Sequence, residues 1–186
     1  MDNEKFILLT LEENIEVLEK TKSTLSKDIM GLINEFEETF ERGNKVFVFG
    51  NGGCAGVAQQ MASAFIGRFK SGKPSRPVIS LSSDASLITA LCNDYGFENI
   101  YKKQVEAYVK EGDLVIGLTA SGNSLNVLNA VEKAKEIGAK TLGITGESGG
   151  RLKDICHCII RIPSGNPTFI EDIMAEINSI LCKTID

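Results

Sequence analysis

The stretch VFVFGNGGCAGVAQQMASAF, residues 46–65, places a strand, a glycine turn and a helix in direct succession. Apolar residues of strand length come first, the segment GNGG follows, and a run without Pro or charge ends the stretch. A glycine turn between a buried strand and a helix leaves backbone N–H groups free at the start of the helix, where an anion can bind. The stretch therefore predicts an α/β unit that holds a phosphate group.

The alternation of apolar strands and helices continues to the end of the chain. Further strands are predicted at PVISLS, DLVIGLTA, KTLGITG and HCIIRIP, and a closing helix is predicted at TFIEDIMAEINSILCKTI. Near-continuous apolar strands that alternate with helices are typical of a parallel sheet covered on both faces. The predicted fold class is therefore α/β, with a doubly wound five-stranded parallel sheet.

Two further helices are predicted before the first strand, within residues 1–43. Apolar residues recur at heptad-like spacing in the first of them, at Leu8, Leu11, Ile15, Leu18 and Leu25. A five-stranded sheet does not need both helices as cover, so we expect them to pack between subunits; extra cover for the sheet is the alternative. We thus expect one domain over residues 1–186, with an oligomer-forming helical extension (1–43) and an α/β core (44–186).

The composition excludes several classes of protein. A net charge of −5, without a basic cluster that contains aromatic residues, argues against nucleic-acid binding. The apolar runs are too short to cross a membrane, and the first residues do not have the pattern of a signal peptide. Five scattered cysteines, an odd number, are typical of reduced thiols in a cytosol. We therefore expect a cytoplasmic protein with neither a nucleic-acid nor a membrane partner.

The glycine turn has two interpretations. Gly50, Gly52 and Ala55 match the dinucleotide pattern G-x-G-x-x-[GA]. That pattern also requires an acidic residue for a ribose hydroxyl at the end of the second strand, but the second strand ends in SLSSD, with two serines before Asp84. No G-K-[ST] follows the glycines, so a Walker loop is absent. A nucleotide-dependent enzyme is therefore the least favoured interpretation.

The third strand favours a phosphate monoester instead. It leads into TASGNS, which places the hydroxyls of Thr119, Ser121 and Ser124 at the start of a helix. Hydroxyl and backbone N–H donors suit a phosphate and need no lysine, although a serine N-cap beside a glycine turn would explain the same residues. Ligands of such sheets bind at the carboxyl ends of the strands. We therefore expect one loop to hold the phosphate and the other to line the sugar.

Five motifs occur in this order along the chain: FGNGGCAGVAQQMA, SSDAS, NDYGF, TASGNS and ITGESGG. With them the whole chain resembles the sugar isomerase (SIS) domain family, and within it the phosphoheptose isomerases. The resemblance implies a sheet in the order 2-1-3-4-5 and a sugar-phosphate ligand. It also implies a homotetramer with active sites between subunits.

The resemblance also implies the residues that bind the ligand. The phosphate loop would comprise Thr119, Ala120, Ser121 and Ser124. The sugar would contact the residues of the glycine turn and of the ND pair, namely Asn51, Gly52, Gly53, Cys54, Asn93 and Asp94.

The residues that bind zinc and move protons in phosphoheptose isomerases are not matched. The resemblance places a histidine and a glutamate on the helix after the glycine turn, and a glutamine and a histidine on the closing helix. Those positions hold Gln60, Ala64, Glu171 and Ser179 here. Zinc prefers imidazole, thiolate and carboxylate ligands, of which Glu171 alone remains. We therefore predict no metal and no other cofactor, and we expect the single histidine, His157, to be a strand-end residue with a satisfied ring.

Moving a carbonyl between C1 and C2 of a sugar requires a base that takes a proton from the alpha carbon, and a carboxylate can serve. Glu171 is our candidate catalytic base. Alternatively, Glu171 and Asp172 lie in the first turn of the closing helix, where acidic residues favour the helix dipole. Asp172 and Glu176 are the next candidates for the base.

Together these features predict a metal-independent aldose–ketose isomerase, an intramolecular oxidoreductase, that acts on a phosphorylated sugar such as a heptose 7-phosphate. The alternative is a non-catalytic sugar-phosphate-binding sensor or adaptor. Turnover with and without a chelator would separate the two.

Overall fold

The computed structural model describes residues 2–67 and 72–186. The strands are β1 (Val46–Gly50), β2 (Val78–Ser80), β3 (Leu114–Leu118), β4 (Lys140–Gly146) and β5 (Cys158–Ile162). The helices are α1 (Asn3–Thr24), α2 (Ser26–Glu41), α3 (Gly53–Gly67), α4 (Ala85–Tyr95), α5 (Ile100–Tyr108), α6 (Leu125–Ile137), α7 (Leu152–Ile155) and α8 (Pro167–Thr184), and a 3₁₀ turn (Phe97–Asn99) separates α4 from α5.

The strands form one parallel sheet in the order β2-β1-β3-β4-β5, which confirms the predicted topology. Every residue of β1 and of β3 is buried, as their unbroken apolar sequence requires. One face of the sheet packs on a core that includes Phe36 of α2, Met61 of α3 and Ile173 of α8. The other face packs on α5, α6 and α7, through residues such as Val105 and Leu128.

The pairing of β1 with β3 positions the two predicted loops. Gly50, the last residue of β1, is paired with Leu118, the last residue of β3. The strand order also reverses here, because β2 lies on one side of β1 and all later strands lie on the other. In open α/β sheets, ligands bind at such a switch point. The glycine turn and the TASGNS loop therefore leave the sheet side by side.

The two N-terminal helices are present, but they differ in what they bury. Helix α2 buries an apolar face that includes Leu32 and Phe36. Helix α1 instead exposes about half of the surface of Leu8, Leu11 and Ile15, at 54%, 56% and 55%. No described residue of the same chain covers this face of α1. Its packing between subunits stays a prediction.

Within residues 2–67 and 72–186, none of the helices has the length and apolar character needed to cross a membrane. All five cysteines are free thiols.

Candidate active site

A cavity of about 220 Å³ lies at the carboxyl ends of β1 and β3. Both predicted loops and helix α8 contribute to its walls, with Asn51, Cys54, Leu118, Thr119, Ala120, Ser121, Ser124, Pro167 and Glu171. The structure therefore brings the predicted phosphate loop, part of the glycine turn and the candidate base around one space.

The phosphate loop presents a cluster of three hydroxyls. The Oγ1 atom of Thr119 lies 2.9 Å from Oγ of Ser124 and 3.4 Å from Oγ of Ser121. Ser124 occupies the N-cap position of α6, but its side chain makes no capping bond to the described residues of that helix. The hydroxyl cluster and the start of α6 thus adjoin one another, which is the arrangement that suits a phosphate. The N-cap alternative explains where Ser124 lies but not where its hydroxyl points.

A second loop supports the phosphate loop from behind. Gly122 has a φ of +69°, and a Cβ atom there would lie 2.2 Å from the carbonyl oxygen of Gly149. The backbone N–H of Leu152 donates to the carbonyl of Gly122 over 3.0 Å. The segment ESGG that follows β4, together with the start of α7, therefore fixes the phosphate loop, and only glycine fits at position 122.

The glycine turn is held by two buried hydroxyls of this chain. The Ser82 hydroxyl donates to the carbonyl of Gly50 over 3.1 Å, and the Tyr101 hydroxyl donates to the same carbonyl. Burial raises the pKa of Tyr101, so the phenol stays protonated as a donor. Ser82 therefore secures the turn at the strand end where a dinucleotide-binding protein would carry its ribose-binding acid.

Glu171 enters the cavity from helix α8, and its place in that helix differs from the alternative that we considered. The side chain of Asn166 caps α8 by accepting from the N–H of Thr168 over 3.0 Å, and Pro167 begins the helix. No acidic residue lies in the first turn. The first-turn explanation of Glu171 and Asp172 is therefore wrong, because the Asn-Pro start shifts both residues into the second turn.

The Glu171 carboxylate lies instead against the start of another helix, α3. A Cβ atom on Gly53, the first residue of α3, would lie 2.1 Å from Oε2 of Glu171, so the close approach requires glycine. The Cys54 thiol donates to Oε1 of Glu171 over 3.7 Å. Burial and the charge of Glu171 raise the pKa of Cys54 to about 11, so the thiol is protonated at neutral pH. The carboxylate is thus placed at the positive end of α3 beside a neutral donor.

The other carboxylates that we considered lie elsewhere. Asp172 is exposed and accepts from Nδ2 of Asn14 over 2.8 Å, which joins α8 to α1. Glu176 lines an apolar groove between α1, α2 and α8. Asn93 donates to Asp94 over 2.8 Å on α4, and none of α4's residues, all of them described, is buried. None of these four residues lines the cavity of its own chain. Contacts of Asn93 and Asp94 with the sugar stay a prediction.

The positions at which the resemblance implies zinc ligands do not offer a metal site in this structure. Gln60 is exposed on α3, Ala64 is buried, and the hydroxyl of Ser179 donates to the carbonyl of Ala175 in its own helix. Among the described residues, no three His, Cys, Asp or Glu side chains are grouped as a metal site requires. Glu171 and the protonated thiol beside it are too few donors for zinc.

His157 lies at the opposite end of the sheet, directly before β5. Its Nδ1 atom accepts a hydrogen bond from the backbone N–H of Thr141 over 3.0 Å. The expectation of a strand-end histidine with a satisfied ring is confirmed.

Comparison with known proteins gives one consistent result. The SIS domain family model matches residues 11–146. The phosphoheptose isomerase of Trichlorobacter lovleyi is 39% identical over 183 residues, which cover 98% of this chain and 93% of the relative. The phosphoheptose isomerase of Aquifex aeolicus is 42% identical over 159 residues, 86% of this chain and 82% of the relative. The structure of a phosphoheptose isomerase from Francisella tularensis superimposes with a TM-score of 0.92 at 33% identity, covering 98% of this chain and 97% of that one.

Proposed function

Because the chain belongs to the SIS domain family, we propose that it is a sugar-phosphate isomerase of the phosphoheptose isomerase type. The observation that carries the proposal is the single cavity that joins a hydroxyl cluster to a carboxylate. Thr119, Ser121 and Ser124 line one part of it, and Glu171 lines another. The relatives are named phosphoheptose isomerases, which supports a heptose 7-phosphate as the substrate.

In the proposed reaction the hydroxyl cluster binds the phosphate, Glu171 moves the carbon-bound proton, and solvent water exchanges protons with the oxygens. The phosphate binds the hydroxyl cluster and the start of α6, which places the carbonyl end of the open-chain sugar between the glycine turn and α8. The Glu171 carboxylate takes the proton from C2 of the aldose while a solvent water molecule gives a proton to the carbonyl oxygen on C1, which gives an enediol. The hydroxyl on C2 then gives its proton back to solvent, Glu171 returns its proton to C1, and the ketose results.

The donor chemistry of the site leads us to propose that no metal takes part. Three positions at which the resemblance implies zinc ligands hold Gln60, Ala64 and Ser179. Their side chains end in an amide, a methyl group and a hydroxyl. The same substitutions favour a second candidate, a protein that binds sugar phosphates without converting them. In that case the hydroxyl cluster would act alone and Glu171 would only shape the cavity.

We also infer a homo-oligomer, with a tetramer as the expected form, and one SIS domain over residues 1–186. Two observations support contacts with further copies of the chain. The apolar face of α1 is uncovered, and none of the residues of the described helix α4 is buried. Shared sites would allow Asn93 and Asp94 of α4 to reach a ligand. The free cysteines agree with a cytoplasmic location.

Proton exchange tests the proposal directly. The protein is incubated with sedoheptulose 7-phosphate in deuterium oxide, with and without a chelator, and deuterium at C1 and C2 is followed by nuclear magnetic resonance. We expect deuterium incorporation and product at rates that the chelator leaves unchanged. Tight binding in calorimetry without exchange would favour the sensor, and loss of exchange on chelation would show that a metal takes part.

A further inference from the structure

A reciprocal pair of side-chain amides joins the two loops of the cavity. Nδ2 of Asn51 donates to Oδ1 of Asn126 over 2.9 Å, and Nδ2 of Asn126 donates to Oδ1 of Asn51 over 2.8 Å. Asn51 follows β1 and lines the cavity, whereas Asn126 lies in the first turn of α6 and is only 2% exposed. The pair therefore connects the glycine turn to the helix that begins the phosphate site.

The backbone fixes which way both amides face. The N–H of Val127 donates to Oδ1 of Asn126 over 3.0 Å, so the oxygen of Asn126 cannot exchange places with its amino group. The amino group of Asn126 must then face Oδ1 of Asn51. A primary amide carries two N–H donors, and Asn126 uses one donor of Asn51. Asn51 retains one N–H, and its side chain lines the same cavity as Glu171.

We propose that Asn126 is a positioning residue, which holds the Asn51 amide so that its remaining N–H donates to the carbonyl oxygen of the bound sugar. The proposal rests on the isomerase function proposed above. Negative charge develops on that oxygen when the neighbouring carbon loses its proton, and a donor held in place in advance stabilises it. Asn126 itself is buried and acts through Asn51 alone.

A double-mutant cycle tests this coupling with sedoheptulose 7-phosphate. We expect N126A to lower kcat by roughly 10²-fold, as misplaced donors do, with little change in KM. N51A should cause a similar loss, and N51A with N126A should lose no more than N51A alone. N129A is the matched control, because Asn129 lies one turn further along α6 and donates to the carbonyl of Glu98 outside the cavity. Additive losses, or equal losses in N126A and N129A, would overturn the proposal.

A second measurement needs no turnover. In the protein without ligand, the amide proton of Asn51 that is bonded to Asn126 should exchange with solvent more slowly than the other amide proton of Asn51, in the wild type and in N129A, and this difference should disappear in N126A. Equal and rapid exchange of both protons in the wild type would overturn the coupling even if the enzyme is active. An inactive wild type with the expected protection would contradict the isomerase function but leave the amide pair standing.

Discussion

The phosphate loop and the α3–α8 helix pair differ in how their chemistry is built. The loop, residues 119–124, combines three hydroxyls, a helix start and a supporting glycine segment, all within one chain. The helix pair presents one carboxylate to the cavity, Glu171, beside the protonated thiol of Cys54. In the proposed site, phosphate binding would depend on many groups that share the task, whereas proton transfer would depend on a single side chain. Each should therefore respond differently to substitution.

The largest effect is expected in the helix pair, for Glu171→Gln. The substitution keeps the shape of the side chain and removes the proton acceptor, so turnover of the sugar phosphate should fall by about 10²–10⁴-fold. Calorimetry should show that sugar-phosphate binding persists. Asp172→Asn is the matched control, because it removes the same charge from the next residue, whose exposed side chain contacts Asn14. A fully active Glu171→Gln enzyme would place the base elsewhere.

The phosphate loop should lose affinity rather than rate. Replacing Ser121 and Ser124 with alanine removes two hydrogen bonds to a charged phosphate, each worth about 1.5–3 kcal/mol. The dissociation constant should rise by roughly 10²–10⁴-fold, since about 1.4 kcal/mol corresponds to a factor of ten. Ser179→Ala in the helix pair should leave the affinity unchanged, because that hydroxyl bonds its own helix. Unchanged affinity in the double variant would place the phosphate elsewhere.

The same contrast explains how much of the site the sequence could predict. Strands β1 and β3 were predictable because they are unbroken apolar runs, and β4 spans the predicted KTLGITG. The phosphate loop was predictable because its hydroxyls lie within six residues. Asn126, Ser82 and Tyr101 were missed because their partners are distant in sequence: Asn51 and Asn126 are 75 residues apart. Helix α7 was missed because its four residues are too few to show a periodic pattern.

Loss of subunit contacts is expected to affect the phosphate loop and the helix pair differently. Replacing Leu11 and Ile15 of α1 with aspartate puts charges on its uncovered apolar face, so light scattering should detect smaller species than the wild type forms. The phosphate loop is complete within one chain and should still bind phosphate. Turnover should fall several-fold, because in the proposed shared site Asn93 and Asp94 reach the ligand only from a neighbouring copy.

Lys20→Asp is the control for that experiment, because Lys20 is exposed on α1 and pairs only weakly with Glu16 at 3.9 Å. It should leave the assembly intact. A monomeric wild type would show that the apolar face of α1 has another role and that any site must be complete in one chain.

The smallest effect concerns pH, and it separates folding from chemistry. His157 lies at the far end of the sheet from both regions, and its Nδ1 accepts from Thr141, so the bonded ring is neutral. Burial, with Lys135 and Lys140 nearby, lowers the pKa of His157 below its ordinary value of 6.5. The unfolded chain therefore takes up a proton near pH 6.5 before the native protein does. The stabilising contribution is complete above that pH and is lost as the pH falls through the lower native value.

Urea denaturation at pH 7.5 and 5.5 measures this contribution. The unfolding free energy should fall less between the two pH values in His157→Asn than in the wild type, because the asparagine amide oxygen can accept the same bond but does not titrate. Because His157 is the only histidine, equal losses in both proteins would show that it contributes nothing. Any acid-dependent fall in turnover that persists in His157→Asn would then arise at the site itself.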